Sequence, residues 1–186
     1  PTRYGTVIQA KNLLFNMMVF HSWPRSYGGN WMDDAGTITV DSEAFRTALS
    51  QAKMLFDLGA TPPDSTSYEY AEANAAYASG QVAAMVQWNA AATELTAAQA
   101  ATGTTAPPAG PDGKFTHIHG LGLGLNKAAE NKEGAIAFLQ WLSTEEAALA
   151  YAKSGGAPGL APETAAKLAA DRPDLVQVGE YASTYG

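Results

Sequence analysis

The sequence predicts an α/β fold with helices around a small mixed sheet. Three observations predict it: short apolar or β-branched runs of strand length, longer segments with helical apolar spacing and caps, and glycine or proline turns between them. The 186 residues allow one domain, or one and part of a second, and suffice for a hydrophobic core. Abundant alanine favours helix, because its side chain loses no entropy there.

Tyr4 to Gln9 alternates and reads as a strand. Leu13 to His21 follows with Phe15, Met18 and Val19 at helical spacing, and Trp23-Pro24 ends it, since a residue before proline leaves the α region. The loop Arg25 to Trp31 sets two glycines among aromatics. Asp41-Ser42 supplies an N-cap for a helix whose apolar face is Phe45, Ala48, Leu49, Ala52, Leu55 and Phe56. Gly59 stops that helix and Pro62-Pro63 prevents its continuation. A helix over Glu69 to Ala78 ends at Gly80, and Val82 to Trp88 is short, apolar and bounded, as a buried strand is. Asn89 caps a helix predicted over Ala90 to Ala101.

Thr102 to Gly113 is a loop carrying the turn Pro111-Asp112-Gly113. His117 to Leu125 then alternates glycine with leucine on a period of two, which predicts a strand with one leucine face and one bare face that a partner approaches closely. Asn131 caps Lys132 to Leu142, with Ala135, Phe138, Leu139 and Leu142 on one side and Trp141 read as core. Thr144-Glu-Glu opens a helix to about Lys153, Ser154 to Pro158 breaks it, and the tail resumes as Glu163 to Ala170 and a weaker Asp174 to Tyr185.

Charge and chemistry narrow the function. With 11 Lys plus Arg against 18 Asp plus Glu, the formal charge is −7, and no basic cluster exists to release counterions from nucleic acid or an anionic membrane surface. The longest mostly apolar stretch, Asn12 to Phe20, is far short of the ~20 residues of a membrane-spanning helix. Zero cysteines exclude disulfides, thiolate metal sites and a Cys nucleophile. No G-x-S-x-G elbow or phosphate loop is matched, and most carboxylates fall in first helical turns, where the helix dipole explains them. Asp33-Asp34 with Gly36 lacks the ligand ladder of a calcium loop and fits a turn. His117 and His119, two apart on one strand face, form a metal edge if His21 or an Asp completes it, so a metal-assisted hydrolase stands as the alternative reading.

The aromatics point elsewhere. Trp23, Tyr27, Trp31 and Trp88 lie in loops or at strand ends beside Gly, Asn or Pro. An aromatic face packs on the axial C–H groups of a sugar ring while neighbouring polar groups take its hydroxyls.

Taken in order, Tyr27-Gly-Gly-Asn-Trp31-Met-Asp33, Val40-Asp-Ser-Glu-Ala44, Ala78-Ser-Gly-Gln-Val82-Ala-Ala-Met85 with Trp88, Pro111-Asp-Gly113, His119 to Lys127, Asn131-Lys-Glu133, Ala135 to Leu142 and Ser154-Gly-Gly-Ala-Pro158 resemble extracellular solute-binding proteins of family 1, the maltose-binding-protein-like group. The resemblance implies a two-lobed, periplasmic-binding-protein-like (type II) fold that closes on a solute between its lobes. It implies an ABC importer permease as partner, no cofactor, no catalysis, and an extracytoplasmic location, with membrane contact only through the permease or a lipid anchor. Such proteins are about twice this length, so the chain, which opens at Pro1 without Met, is expected to be the second half, with the first lobe largely outside it. Residues 1–125 are expected to form the second-lobe domain including a strand that crosses between lobes, and 126–186 a helical segment that packs with the first lobe. By the same resemblance a sugar, oligosaccharide or polyol meets Trp23, Tyr27, Gly28, Trp88, Asn89, His119, Gly120 and Gly156. Leu121 stands where close relatives often carry an aromatic, which shifts stacking to Trp88 and the Trp23 to Tyr27 loop. A binding lobe for a protein partner is the remaining alternative.

Overall fold

In a computed structural model of the chain, residues 3–98, 102–156 and 159–186 are described. Strands β1 (Tyr4–Val7) and β2 (Val82–Met85) pair in parallel, Tyr4 opposite Val82 and Val7 opposite Met85. Between them run α1 (Leu14–Phe20), α2 (Ser22–Arg25), α3 (Glu43–Asp57), a 3₁₀ turn (Pro63–Ser67) and α4 (Tyr70–Ala78). After β2 come α5 (Ala91–Ala97), α6 (Lys132–Leu142), α7 (Glu145–Lys153), α8 (Pro162–Ala166) and α9 (Pro173–Tyr185). Among the described residues no helix is long and apolar enough to cross a membrane.

Among the described residues two core clusters follow from this order. Val7 and Val82 of the sheet pack with Ala73 and Ala76 of α4 and with Tyr68, so small alanines bring the helix close to the strands. Ala152, Leu168 and Leu175 knit α7 to the α8 to α9 segment. That second core is tied by Arg172, whose guanidinium donates to the carbonyls of Ala152 at 2.7 Å and Gly156 at 3.1 Å and grips both oxygens of Asp174. The charge-assisted pair holds the Asp174 carboxyl below its usual range.

Most helix positions follow their signals. Asn131 accepts from the Gly134 amide and Thr144 from the Ala147 amide, capping α6 and α7, and Gly59 and Gly80 take the left-handed conformation that ends α3 and α4. Asp33 Oδ1 accepts from the amides of Ala35 and Thr37, which gives that aspartate a turn-building task.

Five expectations need correction. Pro24 does not end the helical run: the chain bends at His21 and starts α2, so proline falls in a first turn, where no N–H is needed. Ser42 occupies the N-cap of α3 with extended backbone, yet its hydroxyl caps nothing. β2 stops at Met85 with Ala83 and Ala84, on opposite faces, both exposed: only Val82 of the strand is buried, and α4 packs on a two-stranded sheet too narrow to cover either alanine. The leucine and glycine run 117–125 forms no strand: ladder bonds need a neighbouring strand, none lies beside it among the described residues, and its glycines have high chain entropy to lose. Trp141, read as core, is 44% exposed, and Phe138 of the same helix is 56% exposed. The last residues of the helix predicted over Ala90 to Ala101, and Ala157 and Pro158 of the predicted break, lie outside the described residues.

Candidate functional site

Three distant segments meet at the end of α1. The bend between α1 and α2 presents His21, the loop after α2 brings Trp31, and the extended segment after the Gly110 to Gly113 turn brings Phe115 to His119. That turn is held against α2: the Asp112 amide donates to the Ser26 carbonyl at 3.0 Å, and Gly110 lies so close to Ser26 that a Cβ would collide with its carbonyl. Gly28 has φ +80°, and a Cβ there would strike the Asp112 carboxylate, so this glycine lets the two loops close.

The result is a row of rings. Phe45 meets Trp31 at 5.2 Å between centroids, Trp31 stacks on His21 at 4.9 Å, and His21 meets His117 edge-on at 5.6 Å. His117 stacks on His119 at 6.2 Å, and Trp88 at the end of the β2 segment meets both imidazoles edge-on. His21 and His117 place their Nδ1 atoms 3.4 Å apart, one neutral ring donating to the other. Burial, the neighbouring His117 and the Arg25 guanidinium push His21 down to about 4, and burial with the adjacent His119 lowers His117 as well. Both rings are therefore uncharged at neutral pH. Their Nε2 atoms are buried and find no hydrogen-bond partner among the described residues.

Beside this row opens a depression of about 330 Å³, lined by His21, Ser22, Arg25, Asn30, Phe115, Thr116 and His117 among others. A smaller one of about 50 Å³ lies toward Trp88 and shares Ser22, Phe115, Thr116 and His117. Hydroxyls, an amide, one guanidinium and neutral rings bind polar molecules; no activated nucleophile stands among them. Among the described residues no group of three or more His, Asp or Glu is arranged to hold a metal ion.

The expected ligand residues are placed as follows. Trp88 and His119 join the row, His119 exposed. Trp23 is half-buried and packs on Phe20 at 5.7 Å, while Tyr27 is half-buried in the turn after α2. Asn89 precedes α5 and its carbonyl accepts from the Ala92 amide. Gly120 is exposed with open space around it, and Gly156 lies under the Tyr151 ring with its carbonyl held by Arg172. The resemblance places ligand contacts over Phe20 to Tyr27, a span that contains His21, Ser22 and Arg25, and His117 is read only as half of a metal edge; ligand reasoning from sequence passes over Asn30, Phe115 and Thr116.

A small parallel sheet backed by α4 in a helix-dominated α/β chain, with an open depression lined by α2 and the 115–118 segment, is the build of a periplasmic-binding-protein-like lobe. The sequence profile of the bacterial extracellular solute-binding proteins matches residues 2–149, and the chain belongs to that family. Maltose-bound MalE3 of T. maritima has a similar structure, with a TM-score of 0.88, 23% identity, 99% of this chain covered and 50% of that one. An ABC transporter solute-binding protein of Agrobacterium radiobacter K84 in complex with ribitol gives 0.73 and 20% identity over 96% of this chain and 49% of that one. The maltose/maltodextrin-binding domain MalE of Bdellovibrio bacteriovorus bound to maltotriose gives 0.70 and 17%, over 97% and 46%. At these identities the likeness is one of fold, and the chain spans about half the length of each. No curated protein matches the sequence significantly.

Proposed function

We propose that the protein is the substrate-binding component of an ABC importer, holding a sugar, oligosaccharide or polyol without covalent chemistry and delivering it to a membrane permease. The observation that carries this reading is the row of uncharged rings from Trp31 through His21 and His117 to Trp88, beside a depression edged with hydroxyl and amide groups. Ring faces suit the C–H surface of a sugar, and Ser22, Asn30 and Thr116 suit its hydroxyls. Solved proteins of the same fold carry maltose, ribitol and maltotriose, which supports the ligand class. The family supports an extracytoplasmic location, in the periplasm or on the outer face of the cell membrane.

In this reading Trp88 and His119 touch the solute directly, and Trp23, Tyr27, Gly28, Asn89, Gly120 and Gly156 shape or border the cleft. Residues 1–125 act as the ligand-facing lobe. The exposed leucines of 121–125 and the outer face of α6, in the 126–186 segment, pack on the other lobe of the full-length protein.

Thermal unfolding of the full-length protein against sugars, polyols, amino acids and zinc tests the proposal. A true ligand at 100 times its Kd adds about 2.7 kcal/mol of stability and raises Tm visibly. Trp88→Ala should abolish the shift while leaving the unliganded Tm within a few degrees. No shift with any carbohydrate or polyol, or a shift with zinc alone, would overturn the reading.

A further inference from the structure

Only two of the chain's 11 cationic side chains are withdrawn from solvent, Arg25 and Arg172. Arg172 is fully engaged, by Asp174 and two backbone carbonyls. Arg25 is not: among the described residues six ion pairs form and none includes it. Asp112 approaches the neighbouring Gly28, yet makes no ion pair with the guanidinium. A half-buried charge without a counter-charge is costly, and the cost is largest in a concave site.

The position of Arg25 says what would relieve it. Its backbone is fixed in α2 between the His21 and Gly28 hydrogen bonds, and its guanidinium carbon lies over the Phe115 ring, 5.0 Å from the centroid. Contact with a ring face takes up none of the N–H donors that the fork offers a carboxylate, and Arg25 lines the wall of the 330 Å³ depression. The neighbouring imidazoles carry no charge at neutral pH, so the guanidinium is the one full positive charge on that wall among the described lining residues. In a chain of net charge −7, a single unpaired cation at the mouth of a polar pocket matches one negative charge and not two.

Resting on the receptor reading above, we infer that the ligand is an acidic sugar, a uronic acid or an oligosaccharide containing one, whose carboxylate is bound by the in-plane N–H groups of Arg25. The guanidinium fork fits a planar carboxylate through two parallel hydrogen bonds. Thr116, Ser22 and Asn30 then serve the ring hydroxyls, and the Trp31 to His117 row serves the ring faces. A phosphorylated sugar carries nearly two charges at neutral pH and meets only one cation here.

Isothermal titration of the full-length protein with D-glucuronate, D-galacturonate, glucose 6-phosphate, glucose, maltose and ribitol at neutral pH tests this. A uronate should bind about tenfold or more tightly than the matched neutral hexose, as charge-assisted bonds require. That preference should shrink as salt rises from about 20 to about 300 mM, whereas neutral-sugar affinity stays level. Arg25→Gln should bring uronate and hexose to within about twofold of each other, and Arg25→Lys should retain part of the preference. Should Arg25→Gln fail to fold, the salt dependence of the wild-type preference decides by itself. Equal or tighter binding of the neutral sugar, tighter binding of the phosphate, or a uronate preference that survives in Arg25→Gln would each overturn the inference while leaving a sugar receptor standing. Binding of no sugar at all, acidic or neutral, would overturn both readings.

Discussion

His21 sits under two opposing demands, because packing between Trp31 and His117 wants a ring while burial beside Arg25 forbids that ring a charge. Its folded-state value of about 4 lies below the ordinary 6.5, so the unfolded chain binds a proton that the folded chain refuses. Its contribution to stability is therefore intact above about pH 6.5 and is lost as pH falls toward about 4, with His117, lowered in the same direction, adding to the slope. Urea unfolding of wild type and His21→Gln at several pH values across that window should show the wild type losing more stability than the variant; parallel curves would clear His21 of the effect. The same residue shows how much of the site could be read in advance. Trp88 is marked by its sequence setting, an aromatic at a strand end beside asparagine, and His119 only by the family resemblance; the structure brings both rings to the row. Asn30, Phe115 and Thr116 carry no such mark, since the wall joins the His21 region to a segment 96 residues further on and no local pattern encodes a surface shared by such segments.

Among the elements, the turn over 110–113 decides whether the site exists, because it carries Phe115 and His117 to α2. Gly110 approaches the Ser26 carbonyl, which is backbone and has no rotamer to move aside. Gly110→Ala should therefore cost about 1–3 kcal/mol, the range of overpacked sites, and weaken ligand binding by displacing Phe115. A denaturation curve and a titration on the same variant read the two effects, and an unchanged affinity would mean the turn does not position the pocket. The helices were legible for a physical reason, since caps such as Asn131 and stops such as Gly59 act within a few residues of each other. The 117–125 run shows the opposite case. Its alternation puts the His117 and His119 rings within stacking distance, but a strand is a relation to a neighbour and the neighbour is not in its own sequence.

The whole molecule carries more surface than its mass warrants. It exposes 11615 Å², whereas a compact monomer of 19.4 kDa exposes about 8,500 Å² by size scaling. The difference exceeds the roughly 1,600 Å² buried in a standard protein interface. Large apolar side chains contribute to that surface: Leu121 is 88% and Leu123 73% exposed, and Ile136, Phe138 and Trp141 stand out from α6. Exposed apolar side chains in such number are a surface that association would cover. The 186-residue chain produced alone should therefore bind a hydrophobic dye strongly and elute from a sizing column in a concentration-dependent position. Replacing Leu121 and Leu123 with serine should reduce both signals and leave the unfolding midpoint almost unchanged, because neither side chain is buried in either core. If dye binding and elution stay as they were in that variant, the apolar face that seeks a partner lies on α6 instead, and Phe138→Ser with Trp141→Ser is the pair that should quench them.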